Sequence, residues 1–156
     1  MSYLIAVHGL LAVVWVGGMF FAYMILRPAA QPLEAAQRLS LWARTFGRFF
    51  PWVWAAVIVL PASGYYVAAA RFGSLAALPL YVNVMQGLGI VMILLYLHIF
   101  FAPYRRLRGG VESGDFVKAG HALGQIRQLV AVNMVIGLIT IFVALVGANC
   151  AGGNLC

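Results

Sequence analysis

Four stretches of the chain are almost purely apolar, and polar residues collect between them. They run over about residues 3–26, 49–70, 79–102 and 129–148. Each approaches the roughly 20 residues that an α-helix needs to cross a bilayer. None alternates over segments of about ten residues, as the strands of a membrane β-barrel do. The pattern predicts an all-α protein, an integral membrane four-helix bundle, with residues 1–156 forming a single four-span transmembrane domain. Between the first two spans, Leu33, Ala36, Leu39, Ala43 and Phe46 recur at helical spacing, with Arg38 and Arg44 off that stripe. This predicts an interfacial helix or an extension of the second span. Gly109–Gly114 reads as a turn, and Asp115–Arg127 as a helix running into the fourth span. Pro51 and Pro61 fall inside the second span, where a membrane tolerates kinks better than water does.

Composition closes off the other classes. The chain is 65% hydrophobic and 8% charged, with a mean hydropathy of +1.00. Soluble domains are about 45–50% apolar and about 25% charged. Disorder requires low hydrophobicity, and a disulfide scaffold would need many more than two cysteines. The first span is too long for a signal peptide and has no positive charge ahead of its core, so it is expected to stay in the mature protein.

Ten Lys and Arg against three Asp and Glu give a net charge of +7. The charges flank apolar spans, so membrane lipids rather than nucleic acid are the expected partners. Arg27, Arg38, Arg44 and Arg48 follow the first span, and Arg105, Arg106, Arg108, Lys118 and Arg127 follow the third. Arg71 alone lies between the second and third. Positive residues favour the cytoplasmic side. The expected location is the bacterial inner membrane, with both termini periplasmic.

Ionisable groups within a span are costly, so each asks for a reason. His8 lies near the outer end of the first span, on a face with Ala12, Trp15, Gly18, Met19 and Ala22. Its candidate partners by depth are Asn83, Met85, Gln86, Tyr66 and the C-terminal tail. His98 lies near the inner end of the third span, on a face with Leu94, Val91, Gly87 and Val84. His121 shares a polar face with Gln125 and Gln128. Neutral imidazole is the commonest metal ligand, which makes all three candidate cofactor residues. His8 and His98 differ in depth by roughly 20 Å at 1.5 Å per residue, too far apart to be axial ligands of one haem. Cys150 and Cys156 stand outside the fourth span, either as a disulfide or, with His8, as a soft-metal site. No Asp or Glu lies inside a span, and there is no Walker, dinucleotide, HExxH or CxxCH motif.

Several stretches resemble CopD-type bacterial membrane proteins. They are His8–Phe21 with Leu26–Ala29, Arg48–Trp54 with Pro61–Tyr65, Leu80–Gly87 through His98–Leu107, and Gly124–Arg127. That resemblance implies a role in copper resistance or uptake. The layout is also similar to that of HemJ-type protoporphyrinogen oxidases, haem-binding membrane proteins whose first-helix histidine corresponds to His8. The readings carried forward are a redox metalloprotein, an oxidoreductase in that case, binding b-type haem or copper through membrane histidines; copper handling without haem; and a cofactor-free subunit of a larger complex. A membrane or periplasmic redox partner and assembly into a homo-oligomer stay open at this stage.

Overall fold

The structure, a computed structural model, describes residues 2–73 and 78–151. Helix α1 covers Ser2–Phe20 and passes through a π-helical turn, Phe21–Leu26, into the short α2, Arg27–Ala29. Helix α3 covers Ala35–Phe72, α4 Leu80–Phe101, α5 Pro103–Ser113 and α6 Phe116–Ala151. Four helical runs are long and apolar enough to cross a membrane: Ser2–Ala29, Ala35–Phe72, Leu80–Ser113 and Phe116–Cys150. There is no strand among the described residues. The chain is an integral membrane four-helix protein. Hydrocarbon offers no water to backbone amides, and helices satisfy them internally.

Local chemistry explains the breaks. Pro28 brings no N–H to the ladder, and just before it the Arg27 N–H reaches back five residues to the Ala22 carbonyl, widening the helix into a π turn. Ala102, at φ −112° and ψ −84°, separates α4 from α5 because a residue before proline is disfavoured in the α region. Gly73 and Gly114, at φ +70° and +75°, end α3 and α5 in the left-handed conformation that glycine adopts freely. The Asp115 side chain then caps α6 by accepting the Lys118 N–H at 3.0 Å.

The segment around Leu33–Phe46 is an extension of the second span: α3 runs unbroken from Ala35, with Leu39, Trp42 and Phe46 buried. At 38 residues α3 is about 57 Å long, well beyond a ~30 Å hydrocarbon core. Pro51 and Pro61 both lie inside it. The expected turn over Gly109–Gly114 is corrected. Helix α5 continues through Ser113, and Gly114 alone turns. The glycine at position 110 serves packing instead. A Cβ there would stand 2.9 Å from the Ala119 Cβ and 3.0 Å from the Asp115 carbonyl oxygen. Gly110 therefore lets α5 lie directly against α6.

The main packing pairs are α1 with α3, α4 with α6, and α5 with α6. Trp15, Val16 and Met19 of α1 meet Phe50 and Val53 of α3, Met92 and Tyr96 of α4, and Val130 and Met134 of α6 in one core. The arginine-rich end is tied by aromatic rings. Phe50 stacks on Phe46 and meets Tyr104 edge-on at 4.7 Å, and the Tyr96 hydroxyl donates to the Phe50 carbonyl at 3.2 Å. Leu10, Ile58, Leu94 and Phe142 point outward, as lipid-facing residues must.

Gly110→Ala tests the α5–α6 contact. Two of its three closest neighbours are backbone atoms, which cannot swing aside. The substitution should destabilise the protein by about 1–3 kcal/mol, the usual cost of overpacking. Gly109→Ala, with nothing within 4 Å of the added carbon, should be neutral or slightly stabilising in thermal unfolding in detergent.

Candidate functional site

The π turn, α2 and the 30–34 connection reverse the chain, so the start of α1 lies beside the end of α3. That brings half-buried His8 against Ser63 and Gly64. His8 Nδ1 is 2.9 Å from Ser63 Oγ. Ser63 is 6% exposed, and its hydroxyl also reaches the carbonyls of Val59 at 2.6 Å and Leu60 at 3.2 Å. Carbonyls only accept, so the single hydroxyl hydrogen points to them. Nδ1 must then donate to Oγ. With the hydroxyl hydrogen on a carbonyl, the imidazole is the Nδ1–H tautomer, with the Leu60 carbonyl as a further backbone partner of the ring, and the lone pair falls on Nε2. Gly64 makes this approach feasible, because a Cβ at that position would lie 3.3 Å from His8 Cε1.

A hydrogen bond from one ring nitrogen fixes both the tautomer and the direction of the other. The arrangement thus presents one oriented imidazole donor near the N-terminal end of the bundle. Neither Ser63 nor Gly64 was singled out as a site residue by sequence reasoning. The depth argument pointed instead to Asn83, whose side chain bonds the Leu78 carbonyl at 3.2 Å. The available signal was a hydroxyl next to glycine in an otherwise apolar span. Which face of α3 meets α1 had to be known before it could be used.

His98 and His121 lie on exposed faces of α4 and α6. His98 is exposed on the outward face of α4, together with Leu94, Val91 and Gly87. Tyr104, at the start of α5, belongs to the aromatic cluster around Phe50. His121 is exposed and lines a shallow depression with Gly124, Gln125 and Gln128. Cys150, in the last turns of α6, is not a free cysteine. Cys156 lies outside the described residues. No group of three or more His, Cys, Asp or Glu able to hold a metal occurs among the described residues.

The bundle interior has little room for a porphyrin. The face of α1 at Gly18 is filled by the Phe49 ring. A cavity beside it, lined by Trp15, Met19, Phe50, Tyr96 and Asn133, has about 20 Å³ of space. That is room for about one water, whereas ligand pockets run to several hundred Å³. The residues between these helices do not fit haem. Asn133 is a third residue that the sequence does not single out. It is 1% exposed, its Nδ2 donates weakly to the Met92 carbonyl at 3.4 Å, and its Oδ1 has no protein partner. A water in the adjoining cavity would satisfy that oxygen.

The tautomer can be checked directly. In ¹⁵N NMR of the detergent-solubilised protein, His8 should show a protonated Nδ1 and an unprotonated Nε2 at neutral pH. Ser63→Ala should abolish that preference; an unchanged His8 signal would show that Ser63 does not set it.

Comparison with known families adds the remaining piece. The family model described as "Copper resistance protein D" matches residues 43–146 of the chain. The matched stretch contains Ser63, Gly64, the aromatic cluster of α3 and α4, and most of α6, while His8 precedes it. No curated protein and no solved structure is matched. With most of its four-helix bundle inside the match, this chain belongs to the CopD, or copper resistance protein D, family.

Proposed function

We propose that the protein handles copper at one face of the membrane, with His8 Nε2 as a copper contact. One observation carries the reading. Ser63 and the carbonyls behind it engage His8 Nδ1, which directs the lone pair to Nε2. Family membership supports copper as the metal. Imidazole suits copper in either common oxidation state. A single imidazole gives an exchangeable contact, suited to taking up and passing on an ion rather than storing it. In this reading copper is the cargo, Ser63 positions the ligand, and Gly64 makes space for the ring.

The proposed setting is the bacterial inner membrane, with His8 at the periplasmic end. Nine of the ten positive residues belong to the two segments joining spans one to two and three to four, and Arg71 stands alone near the other end. Membrane insertion retains such charges in the cytoplasm.

Copper titration of the purified protein against a competing chelator tests the ligand. Ser63→Ala should weaken binding about 10–100-fold, the usual effect of losing a ligand's orienting partner. His8→Ala should weaken it at least as much, and His121→Ala should change nothing. Full copper affinity in His8→Ala would remove His8 from the reading. Topology is tested separately. A reporter fused after Cys156 should be active as a periplasmic enzyme and silent as a cytoplasmic one, and the reverse result would invert the orientation.

A further inference from the structure

At the opposite end of the bundle from His8, three arginines converge from separate segments. Arg27 follows the π turn, Arg38 lies in the first turn of α3, and Arg127 lies on α6. All three are half-buried. Arg127 has both Arg27 and Arg38 as like-charged neighbours. Such a cluster is self-repelling, and an anion beside it would relieve that repulsion.

No carboxylate does so among the described residues. The one ion pair there is Arg108–Glu112, on α5. Glu34 is exposed and forms no ion pair. The Arg127 Nε is enclosed and has no hydrogen-bond partner. A buried donor on a charged group left unbonded is costly.

The cluster is also held in place. Arg38 donates to the carbonyls of Leu33 at 3.0 Å and Gln31 at 3.3 Å, and Arg27 lies 5.0 Å over the Tyr23 ring. Beside Arg38, the first backbone bond of α3 is Arg38 N–H to the Glu34 carbonyl. The amides of Ala35, Ala36 and Gln37 therefore have no acceptor within the helix. They add a partial positive charge to the same place.

We infer that Arg27, Arg38 and Arg127 form a binding site for a phosphate group at the arginine-rich end of the bundle. Guanidinium forks match phosphate oxygens in pairs, and three of them surround one tetrahedral anion. A phosphate there neutralises the mutual repulsion of the three guanidiniums. Its source is the headgroup of an anionic phospholipid or a free phosphate ion. The site lies outside the copper reading and does not depend on it.

The full-length protein in phosphatidylcholine nanodiscs provides the test, with thermal unfolding as the readout at constant ionic strength. Phosphatidylglycerol is added to the bilayer in one arm, and inorganic phosphate replaces chloride in the other. A rise in Tm with phosphatidylglycerol alone identifies a lipid headgroup; a rise with inorganic phosphate identifies the free ion. Arg127→Gln should lose most of that rise. Arg105→Gln, which removes one charge outside the cluster, should retain it. Arg38→Gln repeats the test should Arg127→Gln fail to fold. The site is refuted if neither anion raises Tm, or if the cluster variants respond as strongly as Arg105→Gln.

Discussion

Backbone amides have no water to bond in the hydrocarbon core, and the rest of this structure follows from that. The chain can cross only as helix, so each departure from helix needs a cause. The π turn precedes Pro28, the α4–α5 break precedes Pro103, and Gly114 turns where α5 must meet α6. Side-chain polarity obeys the same rule. The Ser63 hydroxyl bonds the carbonyls of its own helix before receiving His8, and the Tyr96 hydroxyl bonds the Phe50 carbonyl. Each buried polar group inside the bundle is thus a small directed device. Asn133, with one oxygen unanswered by protein, faces a cavity that can hold a single water.

Association between the helices cannot rest on hiding apolar surface, because lipid is as apolar as leucine. It rests on close approach and ring geometry. Gly110 admits Ala119, Gly18 admits Phe49, and Gly137 admits Val16 and Met92. Phe46, Phe50, Tyr96, Phe100 and Tyr104 interlock by stacked and edge-on contacts that hydrocarbon solvent does not replace. These contacts place α3 against α1 closely enough for a serine to address a histidine 55 residues away in sequence.

The four spans, their order and the continuation of the second span toward its N-terminus were legible because hydropathy and the 3.6-residue period are local properties. So was the special status of His8, an ionisable group in a span. Its partner was not legible. Depth arithmetic ranks residues by height but not by azimuth, and Asn83 and Ser63 were distinguishable only once the packing of α1 against α3 was known. The same blindness applied to His98. Its neighbours Leu94, Val91 and Gly87 were named correctly as a face, but the face turns outward. Gly109 and Gly110 looked like turn residues because glycine serves turns and close approaches alike, and only the contact with Ala119 separates the two uses. The arginine cluster was read for topology alone, since the meeting of Arg27, Arg38 and Arg127 depends on three segments arriving together.

The two ends of the bundle are chemically opposed, and that opposition bears on what a copper ion can do here. Near His8 the offered group is a neutral imidazole, able to hold a cation without a counter-charge. Toward the other face a cation would pass Met19, Met92 and Asn133, with no carboxylate among the residues of the buried core to compensate its charge. It would then approach Arg27, Arg38 and Arg127, whose field opposes it. Unit charges about 4 Å apart repel by about 4 kcal/mol at an effective dielectric near 20, and three arginines act together. A bare ion crossing the bundle of a single chain would climb a rising potential through a packed core. The charge pattern thus sets the proposed copper contact at His8 apart from the arginine end, where the proposed phosphate would balance the mutual repulsion of Arg27, Arg38 and Arg127.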